Sequence, residues 1–487
     1  MEKNGKREDP CPQMNADQKC GEAKGETLDV IRRDGSIWMA IHGCSEAAFR
    51  FGRGPNQDDT VFARTSGLDC CTRQSGDERV QPRNERAIRF VAALAVSSLI
   101  VGFVLFSFPA QKSDDARDFS EFYAAAQMVR QGLGRDLYDL RTQAEFQSRV
   151  APVQVFYNHP PFETLVFLPL TYFSYRAAYM LWTLISVGML AGAARLIESR
   201  AHVSATIFRY TRIPVDFGLA FVVFLTFAPV TTCLLLGQDS MLMLLIYTLV
   251  FVLLQGGSEF RAGCVLACGL FKFHLIVPFV LILLLRRKWA AARGFGMTAS
   301  LLILTSIVVS GVQVLAAYPR FLLFEAGHQQ VAGFAPEYMP NIRGVLHLLI
   351  GGRVGSPVFG TLVALASGLV LWLAAKTWRD EQLGLSFAAA LVATLLVSYH
   401  LYNYDLTLLL LPIAILCGEL ARRERPLPSQ PLLGAALVVL FIPPLHRLLL
   451  LHSVYALMAV PIAGLFSTAL WLTRPDIPRG GQIEARG

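Results

Sequence analysis

Charge is scarce in this sequence. Only 16% of its 487 residues are Asp, Glu, Lys or Arg, 54% are hydrophobic, and the mean hydropathy is +0.45. A soluble domain carries about a quarter charged residues. The shortage deepens once residues 1–86 are set aside, because they hold a large share of the charge. An ordinary water-soluble domain over 87–472 is thereby excluded. Metal-type cysteine spacing is also missing. Cys11, Cys20, Cys44, Cys70 and Cys71 match no paired-ligand signature. Cys233, Cys264, Cys268 and Cys417 lie inside apolar segments and read as small hydrophobes. A positively charged start followed by an apolar run and a cleavage site is lacking, so no secretory signal is expected. No repeat of 20–50 residues stands out, so a solenoid is not expected, and no pair of similar halves is visible.

What is present is long apolar sequence. Ala87–Ala110, Ala177–Ile197, Phe217–Leu236, Ala262–Leu285 and Leu432–Pro444 are too long and too poor in charge for ordinary core helices. A bilayer-spanning helix needs roughly 20 apolar residues. Period-two alternation is absent, and in lipid only helices or closed barrels satisfy the backbone. The fold expected is an all-α polytopic membrane protein. Beyond 87–110, spans are expected at 160–174, 177–197, 214–236, 239–256, 262–285, 292–316, 356–375, 384–398, 405–418, 431–448 and 453–473. The total expected is about 10–13 transmembrane helices. Arg83, Arg86 and Arg89 precede the first span and place the N-terminus in the cytoplasm. The net charge of +8 sits in short loops such as Arg286–Lys288 and Arg422–Arg425, as cytoplasmic connections do, so no nucleic acid is expected as a partner. One loop, carrying Arg195, Arg200, Arg209 and Arg212, falls on the wrong side in this scheme.

Residues 1–86 read as a polar, disordered N-terminal tail, with an amphipathic turn or two around Ile37–Phe51. A start site placed too far upstream would account for the tail; N-terminal sequencing of the native protein tests this. Residues 476–487 form a short C-terminal tail. The longest polar insert, 111–159, is expected outside the cytoplasm. In it Phe119, Phe122, Tyr123 and Ala126 recur at helical spacing, so an amphipathic helix should lie along the membrane surface.

Polar groups at membrane depth are costly and mark functional candidates. Four clusters qualify: Asp114, Asp115, Arg117, Asp118, Glu121 and Tyr123; Tyr157, Asn158, His159 and Glu163; Gln238 and Asp239 with Lys272 and His274; and Tyr399, His400, Tyr402, Asn403, Tyr404 and Asp405, with Asn341 and Arg343. The first, second and fourth are expected to converge on one external cavity. Simpler roles compete. Asp118 suits the N-cap of the surface helix that follows, His159 an interfacial polar residue, the tyrosines an interface belt, and Lys272 a snorkelling side chain.

In order, the chain reads "DFSEFYAAAQMVRQGLGRDLYD", "YNHPPFETLVFLPL", "LLLGQDSMLMLL", "FKFHLIVP" and "RRKW". This succession, over roughly 87–475, resembles the glycosyltransferase 87 family, membrane-embedded mannosyltransferase-like proteins of the GT-C superfamily. His159 stands where a tyrosine before the prolines is more usual. The resemblance implies a GT-C-like bundle in a bacterial inner membrane. It also implies transfer of a hexose, by default mannose, from a polyprenyl-phosphate sugar to a glycan or glycolipid acceptor on the outer face, with inversion. The first external loop of such enzymes holds the catalytic carboxylate, which here is Asp118. Arg343, Lys272 and His159 are the candidates for the donor phosphate. Tyr123, Gln238, Tyr402, Asn403 and Asp405 are the candidates for sugar or acceptor. Asp-x-Asp with metal geometry is missing, so no metal and no cofactor are expected. A transporter or flippase of a lipid-linked glycan is the alternative, although it gives no reason for an acidic 111–159 loop.

Overall fold

The computed structural model describes residues 28–33, 36–41, 48–53, 61–64, 118–151, 155–201, 217–327, 335–422 and 430–474. The expected first span, 87–110, and the pair Asp114-Asp115 lie outside them, as does the C-terminal tail. The chain divides into two units, Met1–Pro82 and Arg83–Gly487.

In the first unit four strands form an antiparallel meander: β1 (Leu28–Arg33), β2 (Ser36–Ile41), β3 (Ala48–Arg53) and β4 (Val61–Arg64). Ile31 pairs with Trp38, and Met39 with Phe49. These segments depart from the expected disordered tail and from the helical turns expected around Ile37–Phe51. The overlooked signal is Asp34-Gly35, a two-residue hairpin dipeptide between runs rich in β-branched and aromatic residues.

Helices are the regular secondary structure of the second unit's described residues. Helix α1 (Phe119–Arg130), expected along the membrane surface, has nine of its twelve residues buried; it is followed by α2 (Leu140–Ser148), which Asp139 caps through Thr142 N at 2.8 Å. Then come α3 (Tyr175–Ala201), α4 (Phe217–Leu225), α5 (Ala228–Leu236), α6 (Ser240–Gln255), α7 (Glu259–Ala267) and α8 (Phe273–Leu285). The remainder are α9 (Trp289–Ser310), α10 (Val314–Gly327), α11 (Ile342–Ile350), α12 (Ser356–Thr377), α13 (Leu383–Val397), α14 (Leu410–Ala421), α15 (Gln430–Leu440), α16 (Pro443–Leu451) and α17 (Ala459–Leu472).

Seven helical segments among the described residues are long and apolar enough to cross a membrane, or eight if α15 and α16, bent by 67°, form one span. The second unit is thus an all-α polytopic membrane unit among its described residues. Two expected spans take another form. Residues 160–174 are not one helix but a chain of short turns, Pro161–Glu163, Thr164–Phe167 and Leu168–Tyr172. Pro160, Pro161 and Pro169 lack the N–H groups a continuous helix needs. Residues 214–236 contain two nine-residue helices, with Pro229 at the start of the second.

Burial sorts the spans into layers. In Asn403–Ala421 83% of the apolar window is buried, against 11% in α9 and in α12. The former is central; the latter two present leucines such as Leu301 and Leu365 outward, as lipid contact requires. Helices α7 and α9 meet backbone to backbone. A Cβ on Gly263 would lie 1.9 Å from the Ala291 carbonyl oxygen, and one on Gly294 2.0 Å from that of Phe260. Such close approach through small residues replaces the hydrophobic force that lipid removes.

Candidate active site

The site begins at the entrance of α1. Asp118 occupies the N-cap position, yet its carboxylate makes no capping hydrogen bond. Instead Oδ2 accepts from Nε2 of Gln238, 2.6 Å away and 120 residues later in sequence. Gln238 is presented by a tight turn. Gly237 ends α5 with φ of 70°, in the left-handed region that favours glycine. Helix α3 pins the turn from below: Trp182 Nε1 donates to the Gly237 carbonyl at 2.9 Å, and Tyr179 Oη donates to Leu234 and Leu235, each at 3.0 Å. Phe119 covers the glycine so closely that an added Cβ would lie 2.7 Å from the Phe119 Cβ.

Behind Gln238 lies a buried ionic core. Lys272 sits where α7 and α8 are separated by a 3-10 turn, Cys268–Lys272. Its ammonium lies 2.7 Å from Asp239 Oδ1, 2.7 Å from Asp405 Oδ1 and 2.7 Å from Ser240 Oγ. Ser240 donates to Asp405 at 2.9 Å, and Asp405 accepts from Tyr402 N at 3.1 Å, which caps the turn leading into α14. The thirteen residues of α8 separate Lys272 from the basic turn at Arg286–Lys288, about 20 Å at 1.5 Å per residue. Lys272 thus sits at the break between α7 and α8, within the apolar segment Glu259–Leu285.

The Pro-Pro segment forms the next wall. His159 Nδ1 lies 2.9 Å from Glu163 Oε2 and 3.9 Å from Asp239 Oδ2. Tyr157 donates to the Pro160 carbonyl at 2.9 Å and to Glu163 Oε2 at 3.2 Å, and Tyr138 donates to the His159 carbonyl at 2.8 Å. On the remaining side Asn341 caps α11 through Gly344 N and donates to the Ser398 carbonyl, both at 2.8 Å. Two residues on, Arg343 donates to the Tyr399 carbonyl at 3.2 Å with its guanidinium 4.5 Å from that ring's centre. His274 Nδ1 meets Ser398 Oγ at 2.9 Å.

Electrostatics distinguish two groups. Burial pushes the Asp118 carboxyl up from the usual range to about 6, against the Gln238 hydrogen bond and the Lys272 charge, which pull it down. Burial works to lower His159, but the neighbouring Glu163 outweighs it and the imidazole titrates above its ordinary value.

Residues 157–398 match the family model described as Glycosyltransferase family 87. The chain belongs to this family. It is a membrane glycosyltransferase. Comparison with curated proteins and with solved structures gives no match. The matched region takes in His159, Glu163, Gln238, Asp239, Lys272 and Arg343; Asp118 and the 402–405 segment lie beyond its limits.

The glycosyltransferase brings all four polar clusters of the sequence together, including the one expected at mid-membrane. Roles inside the cluster differ from those assigned by type. Lys272, expected on the donor phosphate, is buried to 3% exposure with its ammonium held by two carboxylates and a hydroxyl. It holds the core together and does not snorkel. Asp405, expected on sugar, is 1% exposed and is the other half of that lock. Tyr123 faces away: its hydroxyl donates to the Phe173 carbonyl at 2.7 Å, and its ring packs on Tyr175. Helical periodicity turns position 123 from the face that starts at 118. Tyr402 and Asn403 stay half-buried beside His400 and Tyr404. Arg343 has no carboxylate ion pair among the described residues; its guanidinium rests on Tyr399. Glu163, Asp239, Ser240 and His274 had no assigned role. Glu163 and Asp239 were visible as carboxylates inside apolar stretches, and a buried carboxylate requires a partner.

Proposed function

We propose that this membrane glycosyltransferase moves a hexose, mannose by the family resemblance, from a polyprenyl-phosphate sugar to a hydroxyl of a glycan or glycolipid. The transfer takes place on the extracytoplasmic face of a bacterial inner membrane. Asp118 is the base. It takes the proton of the acceptor hydroxyl as that oxygen bonds to the anomeric carbon. The bond from that carbon to the phosphate oxygen breaks, and polyprenyl phosphate leaves with the electron pair. One displacement inverts the anomeric centre. Arg343 meets the leaving phosphate with its planar fork, while Gln238, Tyr402 and Asn403 stand where sugar hydroxyls pass.

The observation that carries this reading is the diverted carboxylate of Asp118. It forgoes the cap it is placed to make, is held by Gln238, and titrates near 6, where it is ionised at neutral pH and still basic enough to accept a proton. The test is Asp118→Asn in purified protein with a polyprenyl-phosphomannose donor. Donor binding is retained and turnover falls by about 10²–10⁴; unchanged transfer rejects Asp118 as base. Movement of the lipid across the bilayer with no glycosyl transfer would turn the reading to a flippase.

A further inference from the structure

Carboxyls outnumber cations in the pocket proposed for an anionic substrate. Asp118, Glu163, Asp239 and Asp405 converge there, and Lys272 and Arg343 are the facing cations. By residue type, four carboxyls face two permanent cations before any phosphate enters. Two carboxylates also have capacity to spare. Glu163 and Asp239, each 1% exposed, lie within hydrogen-bond reach of each other, and neither Glu163 Oε1 nor Asp239 Oδ2 meets a further donor among the described residues. Two buried carboxyls placed against each other are costly unless a proton, a cation or a donor lies between them.

The geometry points to a divalent-cation site formed by Nδ1 of His159 and the carboxylates of Glu163 and Asp239. One ligand atom from each lies within 4.8 Å of the others. His159 Nδ1 is 2.9 Å from Glu163 Oε2 and 3.9 Å from Asp239 Oδ2, separations that two ligands of one metal adopt when each metal bond is about 2.0–2.2 Å. Lys272 occupies the other oxygen of Asp239, Oδ1, which leaves Oδ2 for the metal. Tyr157 and Tyr138 fix the ligands from behind, through Glu163 Oε2 and the His159 carbonyl, as supporting groups do around metal sites. One imidazole and two carboxylates suit a borderline ion of the Mn²⁺ or Zn²⁺ kind, with open positions for phosphate oxygens. The ion offsets the surplus of carboxyls and lets an anionic donor approach. The absence of Asp-x-Asp in the sequence is uninformative here, because the three ligands come from separate turns around 159–163 and 239.

The role at the phosphate rests on the function proposed above; the site itself does not. The experiment is Mn²⁺ binding to chelator-washed, detergent-purified full chain, followed by calorimetry and by Mn²⁺ paramagnetic resonance, with no donor present. One ion per chain is expected. Glu163→Gln and His159→Asn should each weaken it about 100-fold or more, since loss of supporting groups alone costs about 10–100-fold. Asp118→Asn should bind Mn²⁺ as the parent does. Binding of a polyprenyl-phosphate donor should tighten at least tenfold, by order of magnitude, once Mn²⁺ is added. No stoichiometric binding of Mn²⁺ or Zn²⁺ by the parent protein at millimolar concentration overturns the site, as does binding that either ligand variant leaves intact. Metal bound at the site with donor affinity unmoved overturns the link to the phosphate.

Discussion

Replacing Gln238 by leucine removes the amide donor 2.6 Å from Oδ2 of Asp118 while keeping most of the side-chain volume. A hydrogen bond to a charged group is worth about 1.5–3 kcal/mol, and one pKa unit is about 1.36 kcal/mol. Asp118 is half-buried, so solvent replaces part of what is lost and the lower end applies. The carboxyl should therefore move from about 6 up by about one unit. The base works when ionised, so activity is present above its pKa and lost as pH falls through it. The ascending limb of kcat/KM then moves to higher pH. Gln238→Leu should retain about threefold less of the parent's kcat/KM at pH 6.5 than at pH 8, while a lost sugar contact lowers both by the same factor. The assay is transfer of labelled sugar from a polyprenyl-phosphate donor across pH 5–9 in detergent, with Asp118→Asn as the flat control. A limb that stays in place refutes the claim that Gln238 sets the base. A loss equal at every pH assigns Gln238 to substrate contact alone.

Lys272→Met leaves Asp239 and Asp405 facing each other without their cation, a cost of about 3–5 kcal/mol. Thermal unfolding in detergent should show a clear loss of stability, and adding Asp405→Asn should restore part of it. A Lys272→Met protein as stable as the parent, with only a raised KM, would instead place the ammonium on the donor phosphate. Gly237→Ala forces a side chain into a left-handed turn at about 1–2 kcal/mol and drives it against Phe119. Thermal stability and transfer should fall together, and an unchanged melting profile would refute the packing of that turn. For the orientation, a cysteine at Asp136 in a cysteine-free background should react with an impermeant maleimide in intact cells. One at Arg287 should react only after permeabilisation. The reverse pattern removes Asp118 from the face where the donor is proposed to act.

Much of this architecture was legible without coordinates. Hydropathy is a local property: a run such as 262–285 has to be helical and in lipid, whatever its neighbours are. The polar residues were legible for the same reason, since a histidine before Pro160 or a lysine inside an apolar run stands out against its surroundings. Local rules failed where proline interrupts a span, at 160–174, and where α15 and α16 bend by 67°. They failed again in the N-terminal unit, where Asp34-Gly35 was the hairpin signal.

Tertiary structure alone decided the partners. Asp118 meets Gln238 across 120 residues, Lys272 meets Asp405 across 133, and Ser240 meets Asp405 across 165. A lysine in an apolar segment announces that some anion must be near it. Whether that anion is a substrate phosphate or the protein's own carboxylates depends on helices whose packing the local pattern does not encode. Burial makes an unpaired charge so costly that the fold settles the matter for Lys272, turning an expected ligand into an internal lock and leaving His159, Glu163 and Asp239 on the wall beside it.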